Sequence, residues 1–277
     1  MRTPGRVVLL VAVGTEPVLN PGAVAEAGRG TIDGVQALDL ALLNPVPAAL
    51  DGRLRAFGTV RGGAARFDPD VSPFAGLPLD PAPGDWADLA ALCGPGREVA
   101  VVRAGDGPPA PPQGWVLERR FAGVQMDGAA VPGEPDDDAV ELGLDDRAAM
   151  AELTERTRPG PWLPRTAELG RYLGIRHDGR LVAMAGERLR VPGATEISAV
   201  CTDPEFRGRG LARRLVNAVA AGITARAERP VLHASADNED AIRLYRAMGF
   251  TVSTSMRFDL LRTPAERHVD AGAAALT

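Results

Sequence analysis

Lysine is absent from the 277 residues; all 31 basic residues are arginine. A Walker-type phosphate loop and Schiff-base catalysis both need a lysine amine, so neither is open to this chain. Cysteine is almost absent too. Cys93 and Cys201 form no CxxC pair and no disulfide framework, which predicts a reducing, cytoplasmic setting. The three histidines, His177, His233 and His268, stand far apart without metal-ligand spacing, so no metal is expected. Aromatic residues make up 4% of the chain and the net charge is −5, which counts against a nucleic-acid partner. Long apolar runs are missing as well. The run 7–13 behind Arg2 and Arg6 holds seven residues, far short of a membrane span, and reads as a buried strand. What is plentiful is glycine (32) and proline (24), which implies many loops. Arginine without lysine, among so much alanine, glycine and proline, fits a GC-rich bacterial genome.

The chain changes character at Pro132-Gly133-Glu134-Pro135-Asp136-Asp137-Asp138, a proline- and acid-rich stretch of the kind that edges a domain. Residues 1–138 carry 17 of the prolines and 11 arginines against 18 acids; residues 139–277 carry 20 arginines against 18 acids. An anionic ligand belongs with the second half. The expected division is a mixed α/β domain over 1–135, a second domain over 136–264 and a flexible tail over 265–277. In the first half, helices are expected at 48–57 and 86–92, the latter capped by Asp85, with strands at 99–103 and 115–121. No catalytic constellation stands out there.

The second half is more regular. Strands are expected at 139–144, 171–177, 181–189, 195–202 and 230–236, with a further pair at 250–254 and 256–261. The turn at His177-Asp178-Gly179-Arg180 carries the Asp-Gly hairpin signal. Helices are expected at 145–157, 211–223 and 238–248, the last with Asn238 as N-cap and Gly249 as its stop. The expected order is β-α-α-β-β-β-α-β-α-β-β, a mixed α/β sheet. Arg158 to Pro164 cannot be regular helix, because three prolines break it.

The stretch Val200-Cys201-Thr202-Asp203-Pro204-Glu205-Phe206-Arg207-Gly208-Arg209-Gly210-Leu211-Ala212-Arg213-Arg214 carries the chemistry. A strand ends, a glycine-rich turn follows, and a helix begins. Gly208 and Gly210 leave successive backbone N–H groups uncovered where the helix dipole adds positive charge, a nest suited to a pyrophosphate. The dinucleotide fingerprint G-x-G-x-x-G is not met, because position 213 is arginine.

These residues resemble a known family. Arg207-Gly208-Arg209-Gly210-Leu211-Ala212 is similar to the R/Q-x-x-G-x-G/A signature of the GNAT superfamily of acyl-CoA N-acyltransferases. Thr202, Pro204 and Phe206 upstream, and the block Ala236 to Phe250 downstream, look like the same family. The resemblance covers about 139–262 and implies a GNAT fold there. The first half is then expected to be a smaller mixed α/β domain, a degenerate second lobe without a phosphate turn.

The resemblance implies acetyl-CoA as co-substrate and a small-molecule or peptide amine as acceptor. Val200, Cys201 and Thr202 would meet the pantetheine arm, and residues 207–213 (Arg207, Gly208, Arg209, Gly210, Leu211, Ala212 and Arg213) the pyrophosphate. Asn238 would touch pantetheine, and Tyr245, seven residues on, would be the general acid. The competing reading of Tyr245 is a core residue in the stripe Ala241, Leu244, Tyr245, Met248. Glu196 is the expected general base: strict alternation puts it on one strand face with Ser198, Val200 and Thr202. The competing reading is an acid paired with Arg188 or Arg190. His233 is the second candidate base, and Cys201 as an acylated nucleophile competes with a small buried residue. Two other function classes stay open: a non-catalytic acyl-CoA sensor, and nucleic-acid binding through the arginines at 207–214.

Overall fold

The computed structural model describes residues 35–105 and 111–265. The expected strand at 7–13 and nearly all of the expected tail lie outside them. The described chain forms one 11-stranded sheet with helices on both faces.

The first half contributes helices α1 (Val35–Leu43) and α2 (Pro45–Leu50), strands β1 (Gly58–Arg61), β2 (Ala64–Phe67) and β3 (Phe74–Gly76), helix α3 (Pro83–Cys93), and strands β4 (Glu98–Ala104) and β5 (Val116–Asp127). The second half adds β6 (Val140–Leu142), α4 (Arg147–Thr157), β7 (Tyr172–His177), β8 (Arg180–Val191), β9 (Ala194–Thr202), α5 (Leu211–Thr224), β10 (Arg229–Ser235), α6 (Glu239–Ala247) and β11 (Thr251–Arg262). Across the sheet the order is β1-β2-β3-β4-β11-β5-β10-β9-β8-β7-β6.

Several expectations need correction. The helix expected at 48–57 is two pieces, because α2 starts on Pro45 and gives way after Leu50 to a separate 3-10 turn at Arg55–Phe57. Asp85 lies inside α3 rather than capping it; its carboxylate accepts from the Ala82 amide one turn back. The second half has one strand fewer than expected; its three expected helices are α4, α5 and α6, one fewer than the expected order counts. The two expected closing strands are a single strand, β11, whose pairing slips between Val252 and Thr254. A bulge of that kind reads in sequence as a turn.

The sheet does not break at the acidic linker. Two parallel β-α-β units, β3-α3-β4 and β9-α5-β10, lie on either side of a central antiparallel pair, β5 and β11. Each half places its last strand beside the other half: β5 pairs with β10, and β11 with β4. The second half's site is thus walled on one side by a strand from the first half. Alternation along β5 puts Val124 and Met126 on the face covered by α5 and α6, while Gln125 and Phe121 face the other way.

Helix α5 shows how burial selects these elements. Leu211, Leu215, Val216, Val219 and Ile223 are buried at helical spacing against Val182, Ala183, Ile197 and Leu232 of the sheet. On the opposite face, Met150 and Leu153 of α4 pack with Tyr172, Met184 and Cys201.

Candidate active site

Parallel strands β9 and β10 pair only as far as Ile197 and Leu232. Beyond that level both continue, β9 to Thr202 and β10 to Ser235, without pairing to each other. Ala199 accounts for part of the parting. It adopts a left-handed backbone (φ 53°), and the β8–β9 register skips there, with Met184 opposite Cys201 but Gly186 opposite Ser198. The bulge also resets alternation. Ile197 and Val200 both pack toward α5 and α6, whereas Ala199 and Cys201 pack toward α4. The strict alternation expected from sequence does not hold past residue 198, because a bulge shifts every later side chain.

The opening between the strands continues into a cleft of about 720 Å³. Of the expected site residues, Val200, Cys201, Thr202, Arg207, Gly208, Gly210, Leu211, Ala212, Arg213, Asn238 and Tyr245 line it. Gly208 (φ 77°) and Gly210 (φ 74°) are both left-handed, and a Cβ on either would meet nothing within 4 Å. Gly210 is the N-cap of α5 and supplies no side-chain cap, so the first amides of a 14-residue helix face the cleft mouth uncapped. Asp203 fixes the entry to this turn. Its buried carboxylate accepts from the Glu205 amide at 3.2 Å and from Arg156 Nε at 3.1 Å.

Not every expected cation faces the cleft. Arg209 stacks on Phe206, 4.7 Å from the ring centroid, and is not among the lining residues. Arg214 donates to Asp136 at 2.6 and 2.7 Å and to Asp138 at 2.6 Å, which binds the linker to α5 and turns this guanidinium away. That leaves Arg207 and Arg213 at the turn.

Tyr245, on α6, is buried against Phe250 and still reaches the cleft, so it is both core and lining. Burial, and secondarily the neighbouring Cys201, push its hydroxyl up to about 12, so it keeps its proton across the physiological range. Asn238 caps α6, its Oδ1 accepting from the Ala241 amide at 3.1 Å; its Nδ2 is the group left for a ligand. Burial pushes the Cys201 thiol up to about 11, which favours the protonated thiol and fits the small buried residue of the competing reading.

Glu196 is placed differently from expectation. It is buried at 1% exposure and does not line the cleft. Its carboxylate accepts from Arg188 Nε at 2.9 Å, Arg188 Nη2 at 2.6 Å and the Leu189 amide at 3.2 Å, with His233 Nδ1 at 2.7 Å. Burial alone would raise its pKa, but Arg188 and His233 outweigh that and hold it well below the usual carboxylate range. An anion so fully paired is a poor proton acceptor for an amine in the cleft. The competing reading, a pair with Arg188, is the one the structure contains. His233 lines the cleft, but Glu196 holds Nδ1 and Gln125 Oε1 lies 3.1 Å from Nε2, so both ring nitrogens are engaged.

Two groups of lining residues lie outside the expected site residues. Phe74 of β3, Phe121 of β5 and Phe258 of β11 wall one end, and Thr157 to Pro161 form the rim. Trp162 does not line the cleft; it packs edge-on to Tyr172 at 5.4 Å and anchors that rim.

The family model for FR47-like proteins matches residues 172–258. The chain is 35% identical over 129 residues to the N-alpha-acetyltransferase RimI of Mycobacterium tuberculosis, covering 42% of this chain and 80% of that protein. The crystal structure of a GNAT-family protein from Novosphingobium aromaticivorans superposes with a TM-score of 0.73 at 42% identity, covering 81% of this chain and 99% of that one. This chain is an acetyltransferase of the GNAT family. The match to that structure covers 81% of this chain, more than its second half alone. A third relative, the uncharacterized protein ML0378 of Mycobacterium leprae, is 38% identical over 117 residues; the chain spans only 31% of its length. No helix among the described residues of this GNAT protein is long and apolar enough to cross a membrane.

Proposed function

We propose that the enzyme moves an acetyl group from acetyl-CoA to an amine by direct attack, with both substrates held at once in the cleft. The observation that carries this is the parting of β9 and β10 beside an uncapped helix start. Two features fit a phosphopantetheine ligand. Gly208 and Gly210 leave a cradle that any Cβ would enter, and Thr202 Oγ1 is buried on the cleft wall with no hydrogen-bond partner. A buried hydroxyl without a partner costs about 1–3 kcal/mol, which an amide of the pantetheine arm would recover.

When bound, acetyl-CoA supplies an acyl group already activated as a thioester. The amides at 211 and 212 and the guanidinium groups of Arg207 and Arg213 hold the pyrophosphate end. The free strand edge at Val200 and Thr202, with Asn238 Nδ2, orients the arm. Tyr245 donates its hydroxyl proton toward the departing sulfur. Glu196 acts through Arg188 and His233 as a positioning residue. Most of the rate enhancement comes from holding two reactants together in one geometry.

The test pairs calorimetry of acetyl-CoA binding with thiol release over an amine panel. Tyr245→Phe is expected to lower kcat on the order of 100-fold while leaving acetyl-CoA affinity within about twofold. An unchanged kcat in Tyr245→Phe would remove the acid role and leave the tyrosine as core.

A further inference from the structure

The end of the cleft away from the glycine turn has an unusual wall. Phe258 and Phe121 are in direct register on β11 and β5, and both are only partly buried. Phe74 lies 5.9 Å from Phe258 between ring centroids, and His233 stands edge-on to Phe258 at 6.2 Å. The guanidinium of Arg188 lies 4.8 Å over the Phe74 ring.

Charge at this end is already matched. Arg188 spends Nε and Nη2 on Glu196, and Glu196 is closed off from the cleft. Among the described residues that line the cleft, Asp240 is the one carboxylate. It is exposed on α6 and paired with Arg243, on the helix that also carries Tyr245. An ammonium ion set against the three phenylalanines would gain a cation–π contact but lose its water, find no free carboxylate and lie beside a guanidinium that already covers Phe74. Desolvation and like charge both favour the neutral amine.

We propose that the acceptor is an amine carried on an aromatic or bulky apolar group, that it binds in its neutral form, and that Phe121 and Phe258 determine this specificity. The inference rests on the transferase reading above and names the substrate class of that same cleft. It also accounts for catalysis without a free carboxylate base: the amine loses its proton to water before or during entry. Its lone pair then forms the C–N bond as the C–S bond breaks. The CoA thiolate takes the Tyr245 proton, and the surplus proton on the new amide nitrogen passes through water to restore the phenol. Burying a phenyl group favours such an acceptor over a polar one by on the order of 100-fold.

The experiment measures thiol release by the full chain at saturating acetyl-CoA, with 2-phenylethylamine against spermidine and free lysine. The expected result is a kcat/KM for 2-phenylethylamine higher by on the order of 100-fold. Phe121→Ala should raise its KM about tenfold and leave calorimetric acetyl-CoA affinity unchanged. Phe258→Leu, which nearly conserves volume, should move KM the same way if Phe121→Ala folds poorly. Across ring-substituted phenylethylamines, the midpoint of kcat/KM against pH should follow the basicity of each amine. Preference for spermidine or lysine, an acceptor KM indifferent to both variants, or a midpoint that stays fixed across the series would overturn the inference while acetyl-CoA still binds and turns over. Absence of acetyl-CoA binding by the parent protein would overturn the transferase reading, and this inference with it.

Discussion

Gly210→Glu is expected to weaken acetyl-CoA binding by at least about 100-fold, a loss of roughly 2.7 kcal/mol, without unfolding the protein. Three effects act in the same direction. Gly210 has φ 74°, a conformation that costs a residue with a Cβ about 1 kcal/mol, so the turn itself is mildly strained. The new side chain projects into space where nothing lies within 4 Å, which is the space a pyrophosphate would fill. Its carboxylate would also sit at the uncapped start of α5 and take the amides for itself, as an anion at a helix N-terminus does. That last effect stabilises the helix, which is why the melting temperature should change by no more than a few degrees. Gly210→Ala separates the contributions: it keeps the strain, adds little bulk and adds no charge, so its affinity loss should be much the smaller. Calorimetry on both variants is the measurement. A folded Gly210→Glu protein that binds acetyl-CoA as the parent does would place the phosphates elsewhere.

The turn around Gly210 was legible in the sequence because everything it needs is contiguous. The end of β9, two glycines and the amphipathic face of α5 fall within about 20 residues, and local chemistry alone dictates strand, nest and helix. The hairpin between β7 and β8 was legible for the same reason, from Asp178-Gly179. In the first half α3, β4 and β5 fall where a helix at 86–92 and strands at 99–103 and 115–121 were expected, but its opening strands were not legible. Strands β1, β2 and β3 are three or four residues long and interrupted by glycine and proline, so alternation has no length in which to show. Ala199 gives no signal for a left-handed bulge, since alanine lacks both the freedom of glycine and the polar side chain of asparagine. The phenylalanine wall was hidden by distance along the chain: Phe74, Phe121 and Phe258 meet only because each half lends its last strand to the other's neighbourhood. A signature motif therefore pointed to the proposed cofactor end of the cleft, and only the sheet topology brings together the residues of the proposed acceptor end.

Glu196→Ala is expected to destabilise the fold by about 3–5 kcal/mol, an effect on structure larger than any on proton transfer. The residue sits at 1% exposure and closes a network in which Arg188, partly buried, has no other carboxylate within ion-pair distance among the described residues. Removing the carboxylate strands that guanidinium over Phe74 and frees the Nδ1 of His233, so two partly buried polar partners are left unmatched. Glu196→Gln keeps the shape and one acceptor oxygen and should cost less. The pH dependence gives a second readout with a definite sign. The folded-state pKa of Glu196 is depressed, so its contribution is fully present above the unfolded value of about 4.3 and drains away as pH falls below that toward the folded value. Urea unfolding from pH 7 down to pH 3 should therefore show the parent losing stability more steeply than Glu196→Ala over the acid range, with the two curves converging at low pH. A general base would behave otherwise. If Glu196→Gln kept the parent's unfolding midpoint at every pH yet lost turnover, and its rate no longer showed a titrating group of the enzyme, proton abstraction would return to this residue. The fourfold coordination of its two oxygens argues for the first outcome, because a lone pair already committed to a guanidinium, a backbone amide or an imidazole is not free to receive the acceptor's proton.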